Sequence, residues 1–401
     1  LFVNTFSKKF VLREVEVNEY TALGKPPHKV QTSYAALQEK DAEKVMNDLR
    51  ADSGTGPDLL PARILKNCAA ALAKPVLLLF YIILETGVWP ETWLHHWVSP
   101  LHKRKSVFQP GNYRGVHLTA QLSKVLERML KLLYQPYLTE IDAFGPRQFA
   151  YTAGRGARDA LAFLVIAWLC SLAAGRKIAV YCSDVSGAFD KVVLKRLVQK
   201  LTNKGLHPKI VAVLASWLRQ RRAMVVVGGM TSKEMALKDM VCQGTVTGPM
   251  LWNLFFEDAR ESINECLYTE AVYADDLNAY REFSANTSNA DIETSLNGCQ
   301  KELHSWGAAN QVEFDAGKES QHILSLSEPS GTGFKLLGVG FDEQLTMSDA
   351  VAELVAAAGW KLRTLLRTRR FYTDADLIML YKSHLLSFLE YRTPAVYHAT
   401  R

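Results

Sequence analysis

Two adjacent aspartates, Asp275 and Asp276, interrupt a stretch that is otherwise apolar, between the β-like runs 271–273 and 277–280. Two such runs with a sharp break between them predict a hairpin whose tip carries both acids. Neighbouring carboxylates repel each other, and partial burial strips the water that would soften the repulsion. In most chains such a pair is a solvated turn, because aspartate favours turns. Here the apolar flanks favour a pair neutralised by a cation. A third acid, Asp184, follows the unbroken apolar run 178–182, which reads as a strand buried on both faces. Active sites in open sheets favour strand ends, where side chains leave the core, so Asp184 and Asp275 are expected to meet at one sheet edge. Carboxylates are hard oxygen ligands suited to Mg²⁺. Two such ions about 3.5–4 Å apart stabilise the attacking and leaving oxygens of an in-line phosphoryl transfer.

No histidine or cysteine cluster competes as a metal site. The cysteines at 68, 170, 182, 242, 266 and 299 form no CxxC pair, so neither a zinc knuckle nor a disulfide framework is expected. They read as reduced thiols of an intracellular protein, nuclear or cytoplasmic and not secreted. The chain opens at Leu1 rather than Met, which reads as a piece of a longer polypeptide. The apolar runs 76–84 and 160–170 are shorter than the roughly 20 residues a membrane span needs, so both are expected to be buried helices and no membrane partner is expected.

With 401 residues the chain suits two or three subdomains. A net charge of +6 permits an anionic partner without demanding one. Helices are expected over 34–49, 61–84, 122–133, 194–201, 208–218 and 292–306. Strands are expected over 93–101, 178–182, 224–227 and 335–341, with Gly228-Gly229 as a hairpin turn. Residues 103–105 and 109–112 read as a basic loop, and the last fifty residues as helical and basic.

Several short stretches carry a resemblance. Tyr273-Ala274-Asp275-Asp276 looks like the YxDD box of reverse transcriptases, and residues 183–192, with Asp184, Phe189 and Asp190, resemble their first catalytic box. Residues 242–249 with Leu251-Trp252-Asn253 resemble the QGxxxxP box. Residues 111–114, Leu118-Thr119 and 123–127 resemble the fingers motif of the non-LTR retrotransposon branch, and 148–151 with 154–160 its next stretch. Gly317-Lys318 and 334–339 are similar to the last two palm elements. The likeness runs in order from about residue 56 to the end.

This resemblance implies an α+β right-hand fold with an antiparallel palm sheet, helical fingers and a helical thumb. The implied organisation is an N-terminal extension over 1–50, interleaved fingers and palm over 51–345, and a thumb over 346–401. It implies an RNA-directed DNA polymerase that extends a DNA primer 3′-OH with dNTPs on an RNA template. Asp184 and Asp275, supported by Asp276, would hold two Mg²⁺ ions, with Mn²⁺ as the substitute, and Lys318 would give a proton to the leaving pyrophosphate. Arg114, helped by Lys103, would grip the triphosphate, since the guanidinium fork binds phosphate bidentately. Gln243 and Gly244 would line the template–nucleotide pocket. Phe189, five residues after Asp184, would lie beneath the sugar and exclude a 2′-OH. In the thumb, Arg363, Arg367 and Arg370 at i, i+4 and i+7 would track the duplex backbone, with Leu362, Leu365 and Leu366 on the other helix face. The sequence departs from the family pattern at Gly115 (commonly proline), His117 (serine), Trp252 (phenylalanine) and Glu319 (serine or threonine). Two other readings compete: an RNA-dependent RNA polymerase, against which Phe189 and the Tyr-Ala-Asp-Asp box argue, and a decayed palm that only binds RNA, against which the three intact acids argue.

Overall fold

The run 178–182 needs partners on both edges and cover on both faces, and it has them. In the computed structural model, which describes residues 1–9, 36–103, 106–238 and 240–400, it forms a strand with every residue buried. The described strands are, in chain order, β1 (His95–His102), β2 (Tyr113–Leu118), β3 (Lys177–Ser183), β4 (Arg221–Val227), β5 (Met230–Thr231), β6 (Met235–Leu237), β7 (Thr269–Tyr273), β8 (Asp276–Phe283), β9 (Ser320–Leu324), β10 (Phe334–Leu336) and β11 (Val339–Phe341). With many helices around these sheets the structure is mixed α/β.

The chain divides into two compact units. One comprises Leu1–Pro146, Ser186–Ala259 and Trp306–Glu313. The other comprises Arg147–Val185, Arg260–Ser305 and Phe314–Arg401.

The second unit holds an antiparallel sheet in the order β7-β8-β3-β9. Ile178, Val180 and Cys182 alternate along β3 and enter one core with Leu161, Leu164 and Trp168 of the helix Ala157–Ala173. That helix contains the apolar run 160–170, which is buried on one face only: Ala160, Leu161, Leu164, Val165 and Trp168 are buried, while Ile166 is 61% exposed and Cys170 is exposed. Backbone bonds from Phe149 N to Val272 O (2.9 Å) and from Val272 N to Arg147 O (3.0 Å) lay residues 147–149 along β7. The single strand expected over 335–341 is a hairpin, β10 and β11. Leu337 and Gly338 between them take positive φ, 46° and 80°, as both central residues of a two-residue hairpin turn can. β9 was not expected, because Ser-Gln-His-Ile-Leu has little alternation.

At the C-terminus the helix Ser348–Thr368 stops before Arg369, and Arg370 lies in the short 3₁₀ turn Arg369–Phe371. The expected three-arginine helical stripe therefore reduces to Arg363 and Arg367. Leu362 and Leu366 do not close a core, being 40% and 49% exposed.

In the first unit β2, β1, β4 and β5 lie side by side, with β6 also on β4. β1 and β4 run parallel and the other pairs antiparallel. β2 was not expected as a strand. The reason for Gly115 at its centre is steric. A Cβ there would stand 2.9 Å from Val98 Cγ1 and 3.6 Å from the ring of Phe6, which the helix Phe2–Lys9 packs onto this sheet. The helix expected over 34–49 spans Glu39–Asn47, and Tyr34 and Ala35 lie outside the described residues, as do Arg104 and Lys105 of the basic loop.

The run 76–84 belongs to a longer helix, Ala69–Thr86, which is long and apolar enough to cross a membrane by length and composition. Its residues Ala69, Ala73, Val76, Phe80, Ile83 and Leu84 form one buried stripe at helical spacing within this unit.

Candidate functional site

The predicted acids come together in the second unit. β7 and β8 pair Tyr273 with Asp276, leaving Ala274 and Asp275 as a two-residue tip. β3 pairs Ser183 with Leu277, so Asp184, the next residue, leaves the sheet beside that tip. Ala274 has φ 61°, a region that a residue with a Cβ enters at a cost. The amide of Gln148, buried at the end of β7, holds the tip in that form. Its Oε1 accepts from Ala274 N (3.1 Å) and from Ala150 N (3.0 Å). Sequence reasoning placed Gln148 in a motif without giving it this task.

Burial raises the Asp276 carboxyl to about 7, and the charges of Asp275 and Asp184 add to the rise, while Lys318 opposes it. Lys318 is brought to Asp184 by backbone bonds from Asp315 N to Asp184 O (2.9 Å) and from Lys318 N to Asp315 O (2.8 Å). Its Nζ bonds Asp184 Oδ2 and lies 3.6 Å from Asp315. Burial would lower the Lys318 pKa, but the bond to Asp184 and the nearby carboxylates outweigh it and raise it. Glu319, the departure next to Lys318, turns inward. It accepts from Tyr181 Oη, Gln300 Nε2 (3.3 Å) and His304 Nε2 (2.8 Å).

The hard-oxygen donors Asp184, Asp275 and Asp276 thus meet at one sheet edge. An acid pushed towards neutrality there, with an ammonium drawn in beside it, marks an excess of negative charge, so the set fits divalent cations.

The first unit gathers a second set. Phe189 is half-buried, and its ring stacks on Trp252 (centroids 5.9 Å), which stacks on Phe256 (5.2 Å). The larger ring at 252 therefore backs Phe189 directly. Val241 N donates to Phe189 O (2.9 Å) and His117 N to Gln243 O (2.9 Å), tying the segment before the Gln243-Gly244 turn to both Phe189 and β2. Gly244 has φ 94°, and a Cβ on it would stand 3.0 Å from His117 O and 3.2 Å from Val116 Cγ1. Val116 and Arg114 share one face of β2 by strand alternation, so the exposed Arg114 lies on the face that the turn touches. Lys103 is exposed, and its backbone N donates to Asn112 O (2.8 Å). Burial raises the Asp190 carboxyl to about 6, while Lys9, Lys103 and Lys191 pull it back.

Two features of this unit lay beyond sequence spacing. Glu127, fully buried, accepts from Val246 N (2.8 Å), Thr247 N (3.2 Å) and Thr247 Oγ1 (3.3 Å), fixing the segment that opens the helix Gly248–Phe256. The fold also makes a histidine–cysteine cluster that spacing did not show. Ligand-type atoms of the buried His96, His117 and Cys242 lie within 4.8 Å of one another, the only such group of three among the described residues. They come from β1, β2 and the segment after β6, too far apart in sequence for a spacing rule to join them.

A sequence model of the reverse transcriptase (RNA-dependent DNA polymerase) family matches residues 101–341. The chain belongs to the reverse transcriptase family. The curated relatives of this reverse transcriptase domain are non-LTR retrotransposon proteins. The RNA-directed DNA polymerase from mobile element jockey of Drosophila melanogaster is 24% identical over 94% of this chain and 43% of its own length. The probable RNA-directed DNA polymerase from transposon X-element of the same species is 25% identical over 82% of this chain and 38% of its own. That from transposon BS is 29% identical over 52% and 24%. The reverse transcriptase domain thus spans less than half the length of these relatives.

Proposed function

We propose that this chain is the catalytic core of an RNA-directed DNA polymerase of a non-LTR retroelement. The observation that carries this reading is the meeting of Asp184, Asp275 and Asp276 at one edge of an antiparallel sheet. Membership in the reverse transcriptase family supports it. The three carboxylates would hold divalent cations, two Mg²⁺ in our reading with Mn²⁺ able to replace them. Bound there, the cations would neutralise charge that develops on the attacking and leaving oxygens.

The chain's own residues do the rest. With cations bound, Asp276 would stand ionised and Lys318 would leave Asp184 to them. Lys318, thus freed, can donate a proton to the departing pyrophosphate. Arg114, with Lys103, binds the triphosphate. Gln243 and Gly244 line the pocket for the templated nucleotide. Phe189, braced by Trp252, occupies the space a 2′-OH would need and selects dNTP over rNTP. Arg363, Arg367 and Arg370 bind phosphates of the template–primer.

We read the antiparallel sheet as the palm, the interleaved region 51–345 as fingers and palm, 346–401 as a helical thumb and 1–50 as an N-terminal extension. The partners are an RNA template, a DNA primer and dNTPs, and the setting is intracellular, nuclear or cytoplasmic.

The test is primer extension on an RNA template with dNTPs and rNTPs compared. Wild type should extend with dNTPs. Asp275→Asn, which keeps shape and removes charge, should abolish extension while leaving duplex binding intact. Extension by Asp275→Asn near the wild-type rate refutes the assignment. Extension with rNTPs alone points to an RNA polymerase, and duplex binding without extension points to a binding protein.

A further inference from the structure

The cluster of His96, His117 and Cys242 has a fourth member, and that member decides what the cluster does. Arg221, the first residue of β4, is buried. Its guanidinium lies over the Trp217 ring (3.8 Å), and its Nε donates to Trp217 O. Its NH1 bonds His96 Nε2 (2.8 Å) and Cys242 Sγ (3.5 Å). A guanidinium only donates, so His96 Nε2 must accept. Neutral His96 then carries its proton on Nδ1 and donates it to His117 Nδ1, 3.2 Å away, which leaves the His117 proton on Nε2. One assignment of protons satisfies all these contacts. Burial, reinforced by Arg221, keeps both rings neutral, with His117 lowered to about 3.

These contacts close a ring. From Arg221 it runs through His96 to the side chain of His117. The His117 backbone N then donates to Gln243 O, and Cys242, the residue before Gln243, bonds Arg221 again. The ring includes the turn that touches the Arg114 face of β2. A metal ion fits this cluster poorly, because a buried cation already bonds both His96 and the Cys242 sulfur and would repel a second.

We propose that His117 is a positioning residue of the nucleotide pocket: held by Arg221 through His96, it sets the Gln243-Gly244 turn against the strand that carries Arg114. This rests on the polymerase reading above for what the pocket binds. The geometry specifies what His117 must supply, an acceptor at the Nδ1 position. Asparagine places an oxygen near that position, whereas leucine fills similar space with no acceptor.

The experiment is equilibrium binding of a fluorescent dNTP to the full chain on an RNA–DNA template–primer with Mg²⁺, together with single-nucleotide extension. Wild type, His117→Leu and His117→Asn are compared well below their unfolding temperatures. The Leu variant should weaken dNTP binding and raise KM by about tenfold, the scale of one lost buried hydrogen bond, with kcat within about twofold because the proposed metal ligands are untouched. The Asn variant should stay within about threefold of wild type by the same reasoning. Leu and Asn variants that bind dNTP equally, or a Leu variant that loses kcat with KM unchanged, overturn the proposal. Uptake of one Co²⁺ per chain that both His117→Leu and Cys242→Ser abolish overturns it in favour of a metal site. A wild-type protein that binds duplex but no dNTP refutes the polymerase reading instead, and the two failures are thereby told apart.

Discussion

Glu127 offers a sharp test of how the pocket-lining segment is held. Its carboxylate is fully buried and accepts three hydrogen bonds from Val246 and Thr247, just ahead of the helix Gly248–Phe256. Negative charge at a helix N-terminus is favourable, and bonds to an ionised acceptor are about twice as strong as neutral ones. Replacing Glu127 with leucine keeps the volume and removes the acceptor. Each buried donor left behind costs about 1–3 kcal/mol, offset in part because a carboxylate no longer has to be desolvated. The net expectation for Glu127→Leu is a loss of about 2–4 kcal/mol. Glu127→Gln can keep its oxygen at the Oε2 position that takes all three bonds and turn its amide to Ser123 Oγ, so it loses mainly the charge and should cost about 1 kcal/mol. In urea, with a slope of about 2 kcal/mol per molar, the leucine variant's midpoint should fall by about 1–2 M. The readout is tryptophan fluorescence, supported by Trp217 and Trp252 buried in the same unit. A leucine variant within about 0.5 kcal/mol of wild type would show that the carboxylate contributes no net stability there.

Three further outcomes are expected. Asp190 has a folded pKa of about 6 against 3.8 for the free side chain, so its folded form holds the proton more tightly. Stability is then lost as pH rises from about 4 to 6, by about 3 kcal/mol at most. Asp190→Asn should stabilise the protein at pH 8 and not at pH 4 in urea unfolding; equal effects at both pH values refute this. Phe189→Val, which opens space where Phe189 stacks on Trp252, should raise rNTP incorporation relative to dNTP in competition assays, at a stability cost of about 1–3 kcal/mol. An unchanged ratio in the folded variant makes Phe189 a packing residue only. Replacing Arg363, Arg367 and Arg370 with Gln should weaken duplex binding whatever its sequence and flatten the salt dependence of log K by up to about three. An unchanged Kd and salt slope would mean a merely solvated face.

What the sequence made legible follows from the range of each signal. β3 announced itself as an unbroken apolar run and the acidic hairpin as two apolar runs around a break, because strand period and turn chemistry are local. The convergence of Asp184 with Asp275 needed one step more, the tendency of active sites to lie at strand ends. β2 and β9 gave no such signal. Gly115 suits a strand because Val98 on the neighbouring strand leaves no room for a Cβ, and Ser320–Leu324 alternates weakly. The stripe of three arginines assumed that a helix continues through Arg370, and it stops at Thr368. The Arg221 ring was invisible for another reason. It joins positions 96, 117, 221 and 242 through side chains, and only the pairing of β1 with β2 and β4 brings them together. Spacing rules find ligands and turns that are close in sequence, and this network has none.

The acidic sheet edge sets the requirements of the proposed polymerisation against those of folding. Without counter-ions, Asp184, Asp275 and Asp276 repel one another, and Asp276 is held near half-protonation at neutral pH because its charge is unwelcome there. An asparagine at position 276 would relieve that repulsion and stabilise the fold while removing a proposed cation ligand. If the proposed activity is no longer selected, such a change at position 276 meets no penalty from lost repulsion, whereas change at Leu161 or Trp168 in the core beneath does cost stability. Inactive descendants of such a domain should accumulate replacements at the acids while keeping the apolar sheet that displays them.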